Sequence, residues 1–514
     1  VYDKSAQKIV NADTTWDVSA QQDKSIFAWY TTNANGSLKV YIGSDYEIFG
    51  NYDSTYLFKH IGYSNKCTST ETLTNIKLLN VNSVTNMHGM FWMTGRNAMT
   101  KLDLGDNFDT SNVTNMVCMF GETGRTAMTT LNLGSKFYTS KVTDMNYMFS
   151  QAGYTAMTSL NLGAHFDTSS VTNMNNMFSM TGYTAMTTLN LGANFNTSKV
   201  TDMASMFNST GYTAMTSLNL GSGFNTGKVT NMGSMFKQCG HDSMTTFELG
   251  GNFDTSKVTD MSNMFWRMGE NNLKVLDLKD KFDTSNVTTM NAMFASTGAS
   301  QMTSLKLGDK FDTRKVTRMS YMFQYAGVNY MTSLDLGDKF YTTSATDMNY
   351  MFYNTGVNGM TTLDLGPAFT KIAGANTDMF TNTGKSGACT IYASEQIYLD
   401  KNNFKLNTDA TSSAINYTRG TINPKYRTEW VKEASTLTID NSNLKNSKIT
   451  VTLRGRTNAE AGKDFTSNVT SSLNINNIHV YFDGVESTQV TKSLANAVVV
   501  KNATTGANDV TQVL

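Results

Sequence analysis

A Leu-x-Leu pair returns through most of this chain at a fixed step. It begins at Leu102, Leu131, Leu160, Leu189, Leu218, Phe247, Leu276, Leu305, Leu334 and Leu363, and every step is 29 residues. A period of this size requires a solenoid, in which each unit buries its apolar face against its neighbours and not within itself. One clean copy runs from Met157 to Phe178: Met-Thr-Ser-Leu-Asn-Leu-Gly, a Phe-x-Thr turn, then Val-Thr-Asn-Met-x-x-Met-Phe.

Two apolar patterns divide the unit. Leu131 and Leu133 point the same way from a short strand, with Met128 three residues ahead. Val142, Met145, Met148 and Phe149 fall at i, i+3, i+6 and i+7, which predicts one face of a two-turn helix. Thr139 or Ser140 offers an N-cap, and Ala152-Gly153, Thr181-Gly182 and Thr210-Gly211 supply left-handed stops. The expected coil is strand, turn, short helix, turn. Thirty of the 33 methionines occupy three repeating slots, such as Met145, Met148 and Met157. They read as core, where the flexible thioether fills irregular gaps, and not as a metal or cofactor box. Phe108, Phe166, Phe195, Phe253 and Phe311 are expected to stack as an internal ladder.

The ends differ from the middle. Residues 1–75 hold short alternating segments, Thr15–Val18, Ser25–Tyr30 and Ser37–Gly43, with Asn35-Gly36 as a hairpin turn. They predict a β-rich cap over the first coil. Residues 76–384 form the array, which decays where Pro367 and Ala368 precede Phe369 and where Met379-Phe380 comes one residue early. Residues 385–428 read as a C-terminal cap and linker. In residues 429–514 methionine disappears, and runs such as Thr436–Ile439, Lys448–Leu453 and Ala497–Val500 predict an all-β sandwich.

Charge gives no direction to a partner. Lys plus Arg equals Asp plus Glu, 41 each, which argues against nucleic acid. No run of eighteen apolar residues predicts a membrane span. Val1–Ser5 is not a signal peptide, so the chain reads as a mature or excised fragment. Of the four cysteines, Cys118 and Cys239 lie a little over four coils apart, roughly 19 Å at about 4.8 Å per coil, beyond the roughly 7 Å a disulfide allows. Cys67 and Cys389 flank opposite ends, so four free thiols are expected.

Phe108–Met116, Phe-Asp-Thr-Ser-Asn-Val-Thr-Asn-Met, is followed by Met119-Phe120 and closes with Leu131-Asn132-Leu133. This unit resembles the BspA-like leucine-rich-repeat surface proteins of Gram-positive bacteria, lactobacilli among them. Leu38–Tyr56 is similar to the lead-in of that family, and the resemblance covers about residues 15–385. The C-terminal part resembles a bacterial immunoglobulin-like domain. The fold it implies is an α/β repeat solenoid: a right-handed leucine-rich-repeat array of about eleven coils, capped at both ends and followed by the sandwich. The family implies a monomeric, extracellular adhesin, attached to the cell wall in the full-length protein, that binds host mucin or matrix glycoprotein. The alternative is a structural spacer that projects other domains.

No catalytic constellation is expected. The outward strand position carries Asp103, Asn132, Asn161, Asn190, Asn219 and Glu248, a ladder of like groups and not a tuned acid pair. The five histidines show no shared slot or obvious partner. Asp106 and Asp109 hint at a calcium turn, but Ser135 and Tyr138 hold the same positions one coil on, which favours a solvated loop. No cofactor and no metal follow from the sequence. Binding is the stronger expectation. Asn132, Asn161, Asn190 and Asn219 line the strand face with hydrogen-bonding amides. Tyr154, Tyr183 and Tyr212 fall in register after the left-handed glycine, and Arg96 and Arg125 hold that slot in earlier coils. The rings are expected to stack on sugar rings or a partner's apolar groups, or else to cover the coil edge.

Overall fold

The computed structural model describes residues 15–386 and 389–392, with further strand backbone at residues 2–3 and 416–417 and in six stretches between 431 and 513. The repeats stack as a β-solenoid of about 12 coils. One ladder of parallel bridges marks every coil, from Asp53 through Asn86, Asn115 and Asp144 to Asp347 and Ala375. The first coil therefore begins before residue 76: Ile48–Phe49 pairs in parallel with Leu79–Asn80. Tyr56-Leu57-Phe58 carries the Met-Phe corner of that coil, and Phe58 stacks on Phe91 at 5.5 Å.

The expected helices are absent. The segment from Met116 to Gly124 is instead a run of overlapping β-turns. The N–H groups of Met119, Gly121 and Thr123 each donate three residues back, to Met116, Cys118 and Phe120. Those of Met116, Cys118, Phe120 and Glu122 donate across to Asp144, Asn146, Met148 and Ser150 of the next coil. Alternate amides thus close the coil and join it to its neighbour, and with Val117 donating to Asn115 Oδ1 and Gly124 to the Thr94 carbonyl every N–H from Met116 to Gly124 is paired. An α-helix would consume every amide internally. It also needs 8–10 Å from its neighbour, whereas the phenylalanines of this segment stack only 5.4–5.7 Å apart from Phe91 to Phe352. The i, i+3, i+7 pattern was real, but its cause is a turn every few residues. Thr139 is no N-cap either: its hydroxyl donates to the Asp167 carbonyl of the next coil, 2.7 Å away. Among the described residues the one helical turn is a 3-10 turn at Ile76–Leu78.

The interior is built in columns. Val171, Met174, Met177, Phe178 and Met186 are fully buried, and their equivalents repeat this along the array. A second phenylalanine column, from Phe137 through Phe166 and Phe195 to Phe282, stacks at 6.3–6.5 Å. Two threonine columns supply buried hydroxyls. Thr123, Thr181 and Thr210 donate to Phe91, Phe149 and Phe178 of the preceding coil at 2.7 Å. Thr110, Thr168 and Thr197 donate to the following coil at 2.6–2.8 Å. A buried hydroxyl without such a partner would cost about 1–3 kcal/mol.

Each strand is three residues long and pairs in parallel at the repeat period, as Ser159, Leu160 and Asn161 do with Thr188, Leu189 and Asn190. Residues 217–219 and 246–248 form no regular strand. There Phe247 fills the leucine slot and packs edge-on against Phe236 at 4.9 Å.

At the N-terminus, Thr15–Asp17, Phe27–Thr32 and Leu38–Ser44 form an antiparallel meander, with Tyr2–Asp3 parallel to the last strand. Gly36, at φ 78°, makes the expected turn. At the other end Thr390–Tyr392 and Asn416–Tyr417 extend the parallel sheet. Beyond them, Val431–Asp440, Lys448–Thr457, Asn508–Val513 and Val498–Lys501 lie in that order in one antiparallel sheet. Tyr481–Phe482 and Val485–Glu486 pair antiparallel as a separate two-stranded sheet, and the rest of the expected sandwich falls outside the described residues. All four cysteines are free. Burial pushes the Cys239 thiol up to about 12 and those of Cys118 and Cys389 up to about 11.

Candidate binding surface

The strand row has two borders. On its N-terminal side each coil turns at a glycine in the left-handed region, Gly153 at φ 51° for example, and the next residue stands at the edge. This slot holds Tyr154, Tyr183 and Tyr212, which stack face to face at 4.6 and 4.5 Å. The Arg125 guanidinium lies over Tyr154 at 4.5 Å, and the His241 ring lies against Tyr212 at 4.3 Å. Each tyrosine therefore has both ring faces covered. Stacking on a sugar, as expected from the sequence, is closed to these rings. What they present is a row of edges and hydroxyls. Burial, then the two neighbouring tyrosines, push the Tyr183 phenol up to about 12.

His241 corrects a second expectation. It shares the tyrosine slot and has partners: Nδ1 faces Asp242 Oδ1 and Nε2 faces Glu270 Oε2, both at 2.7 Å. Arg267 Nε donates to the same Glu270 oxygen. Burial alone would raise the Glu270 carboxyl, but the bonds from His241 and Arg267 more than reverse this and hold it low. Adding the period to Tyr212 would have found His241. Arg96 does not join this stack. It lies over Tyr63 at 5.0 Å and approaches Glu122 at 3.8 Å.

The strand-face asparagines are exposed in one column, but half of each amide is already engaged. The Oδ1 atoms of Asn132, Asn161, Asn190 and Asn219 accept the N–H of Gly134, Gly163, Gly192 and Gly221 at 2.9–3.1 Å. Asn132 Nδ2 also donates to Asp103. They act first as turn formers, and the side-chain NH2 groups of Asn161, Asn190 and Asn219 remain as donors beside the exposed Ser159, Thr188 and Ser217.

Other aromatic groups escaped the sequence reading. Lys59 and Lys237 stand over Trp92 and Trp266 at 4.2 and 4.4 Å, in one slot of the turn segment. Tyr321 and Tyr350 stack at 5.1 Å in another. Both follow from the 29-residue register once every slot is tabulated. Among the described residues no group of three or more His, Cys, Asp or Glu is placed to hold a metal ion, and no helix is long and apolar enough to cross a membrane.

A family described as a Mycoplasma protein of unknown function, DUF285, matches residues 62–181, 154–245 and 242–362, which together span more than half of the chain. The chain belongs to the DUF285 family. The DUF285 matches cover the coils that carry the tyrosine strip and the asparagine column, so both are features of its repeat region. No curated protein matches the chain, and no solved structure does.

Proposed function

We propose that this DUF285 protein is an adhesin on a bacterial cell surface, attached to the wall in its full-length form, that binds a mucus or extracellular-matrix glycoprotein through its solenoid. The observation that carries this reading is the exposed strand row. It repeats short hydroxyl and amide donors coil after coil and is bordered by tyrosine hydroxyls and the Arg125 guanidinium. Extended solenoid faces of this kind suit long partners. The covered ring faces favour hydrogen bonding to the partner over ring stacking. The resemblance to BspA-like surface proteins, and of the C-terminal strands to an immunoglobulin-like stalk, supports display away from the cell. No catalytic step is assigned to any residue.

A structural spacer is the second reading. It draws on the same geometry, since the asparagine oxygens and tyrosine faces already serve neighbouring coils. Binding of the chain to immobilised mucin, intact and deglycosylated, at low and high salt, separates the two. Saturable binding, lost from the Tyr183→Ala variant, is expected of the adhesin. Absence of binding under every condition supports the spacer.

A further inference from the structure

We propose that the opposite border of the strand row, where each coil turns through Phe-x-Thr, is a furrow for a linear, neutral oligosaccharide. This is a separate surface from the tyrosine strip and does not depend on the reading above. Two surface cavities fall on it. One, of about 910 Å3, lies where the N-terminal sheet meets the first coils and is lined in part by Tyr46, Glu47, Asn80, Asn107, Asp109 and Lys136. The other, of about 510 Å3, is lined in part by Asp167, Asn194, Asn196, Asn225 and Asn252.

The repeat places both cavities on the same track. Asn107, Lys136, His165, Asn194 and Asn252 belong to one column of the 29-residue register, and Asp109, Tyr138, Asp167, Asn196 and Asn225 to the next. Between the cavities the track carries Tyr138 and His165, with ring centroids 4.7 Å apart. From Asn107 to Asn252 it runs five coil steps, about 24 Å at the usual strand spacing.

The lining chemistry selects the ligand. Asn196 and Asn225 use their oxygens for the N–H groups of Ser198 and Gly227, at 2.9 Å, which leaves their NH2 groups as donors. Asn194 and Asn252 do the reverse. Their NH2 groups donate to the carbonyls of Ala164 and Ser222, at 2.7 and 3.1 Å, which leaves their oxygens as acceptors. Donors beside acceptors suit hydroxyl groups, which do both. Tyr46 is 80% exposed, so its ring is accessible to the C–H face of a sugar. Glu47, Asp109 and Asp167 disfavour an anionic chain. An extended β-linked oligosaccharide also advances by close to one coil spacing per sugar, so successive sugars would meet equivalent side chains.

Calorimetric titration of the full chain with cellohexaose and N-acetylchitohexaose, their disaccharides and a heparin hexasaccharide tests this. At least one neutral hexasaccharide is expected to bind saturably, at least tenfold more tightly than its disaccharide. Asn196→Asp with Asn225→Asp should weaken it tenfold or more. Aspartate keeps the turn-forming oxygen and already stands in this column at Asp167 and Asp254, so the fold is retained. Tyr46→Ala should also weaken binding, and Tyr183→Ala should not. No binding of either neutral hexasaccharide, preference for heparin, or full affinity in the double aspartate variant would overturn the proposal. Mucin binding that fails while hexasaccharide binding persists would separate this furrow from the adhesin reading.

Discussion

Four positions in a coil of the array adopt a left-handed backbone, as Ser205, Ser209, Gly211 and Gly221 do; the Gly211 column is always glycine, and the Gly221 column is glycine except at Lys279. At Gly211, φ is 53° and an added Cβ would lie 2.5 Å from the Met215 Cβ. Ser205, part-exposed, and Ser209, buried, share the conformation, and their columns hold Tyr, Asn, Gln, Arg and Met. No Val, Ile or Thr occurs in either column, because β-branching makes this region still more costly. A non-glycine residue there costs about 1–2 kcal/mol, and glycine loses about 0.5–1 kcal/mol in chain entropy. Ser205→Gly should therefore raise the urea midpoint, by roughly 0.5–1 kcal/mol of stability, and Ser205→Val should lower it. Gly211→Ala should cost about 2 kcal/mol or more. Glu270 gives a pH signature. Its carboxyl is held low in the fold, so its contribution is present above about pH 4.5 and is lost as pH falls through the folded value. Glu270→Gln should cost about 1 kcal/mol at neutral pH, after allowance for solvent screening, and nothing in acid. The glycine stops and the methionine slots were legible because each has one steric cause. The clamped His241 was missed because single histidines were compared with each other and not with the residues that share their slot.

Element identity was legible on one side of the coil only. Eight of the ten strand triplets expected from Leu-x-Leu form, since alternation points inward residues to one face. Val142, Met145, Met148 and Phe149 misled because inward residues three and four apart satisfy a helix and a train of β-turns equally well. The deciding quantity was the distance between coils, which no single unit encodes. The parallel ladder itself is uneven. Leu160 and Leu189 sit in paired strands, whereas Leu218 and Phe247 lie where no regular strand forms. Amide hydrogen exchange should show Leu218 and Phe247 exchanging about tenfold faster than Leu160 and Leu189. Equal protection across all four would contradict this unevenness of the ladder.

At the scale of the molecule the period carried most of what could be read: the solenoid, the core columns and the separation of the cysteines. It also undercounted, because the first coil follows a spacing of 33 residues, from Asp53 to Asn86, and lacks the repeated sequence. The candidate surfaces were legible as columns, but what each column offers depended on contacts between coils. Those contacts closed the tyrosine faces and engaged the asparagine oxygens. The central claim is that the strand row is a recognition surface and not simply the outside of a spacer. Ser159→Lys with Ser217→Lys tests it most directly. Both sites are exposed and two coils apart, and Lys101 already occupies the equivalent position. Binding to immobilised mucin and the melting temperature would be measured on the same samples. The account predicts that binding falls at least tenfold while the melting temperature stays unchanged; undiminished binding by the double lysine variant would contradict it.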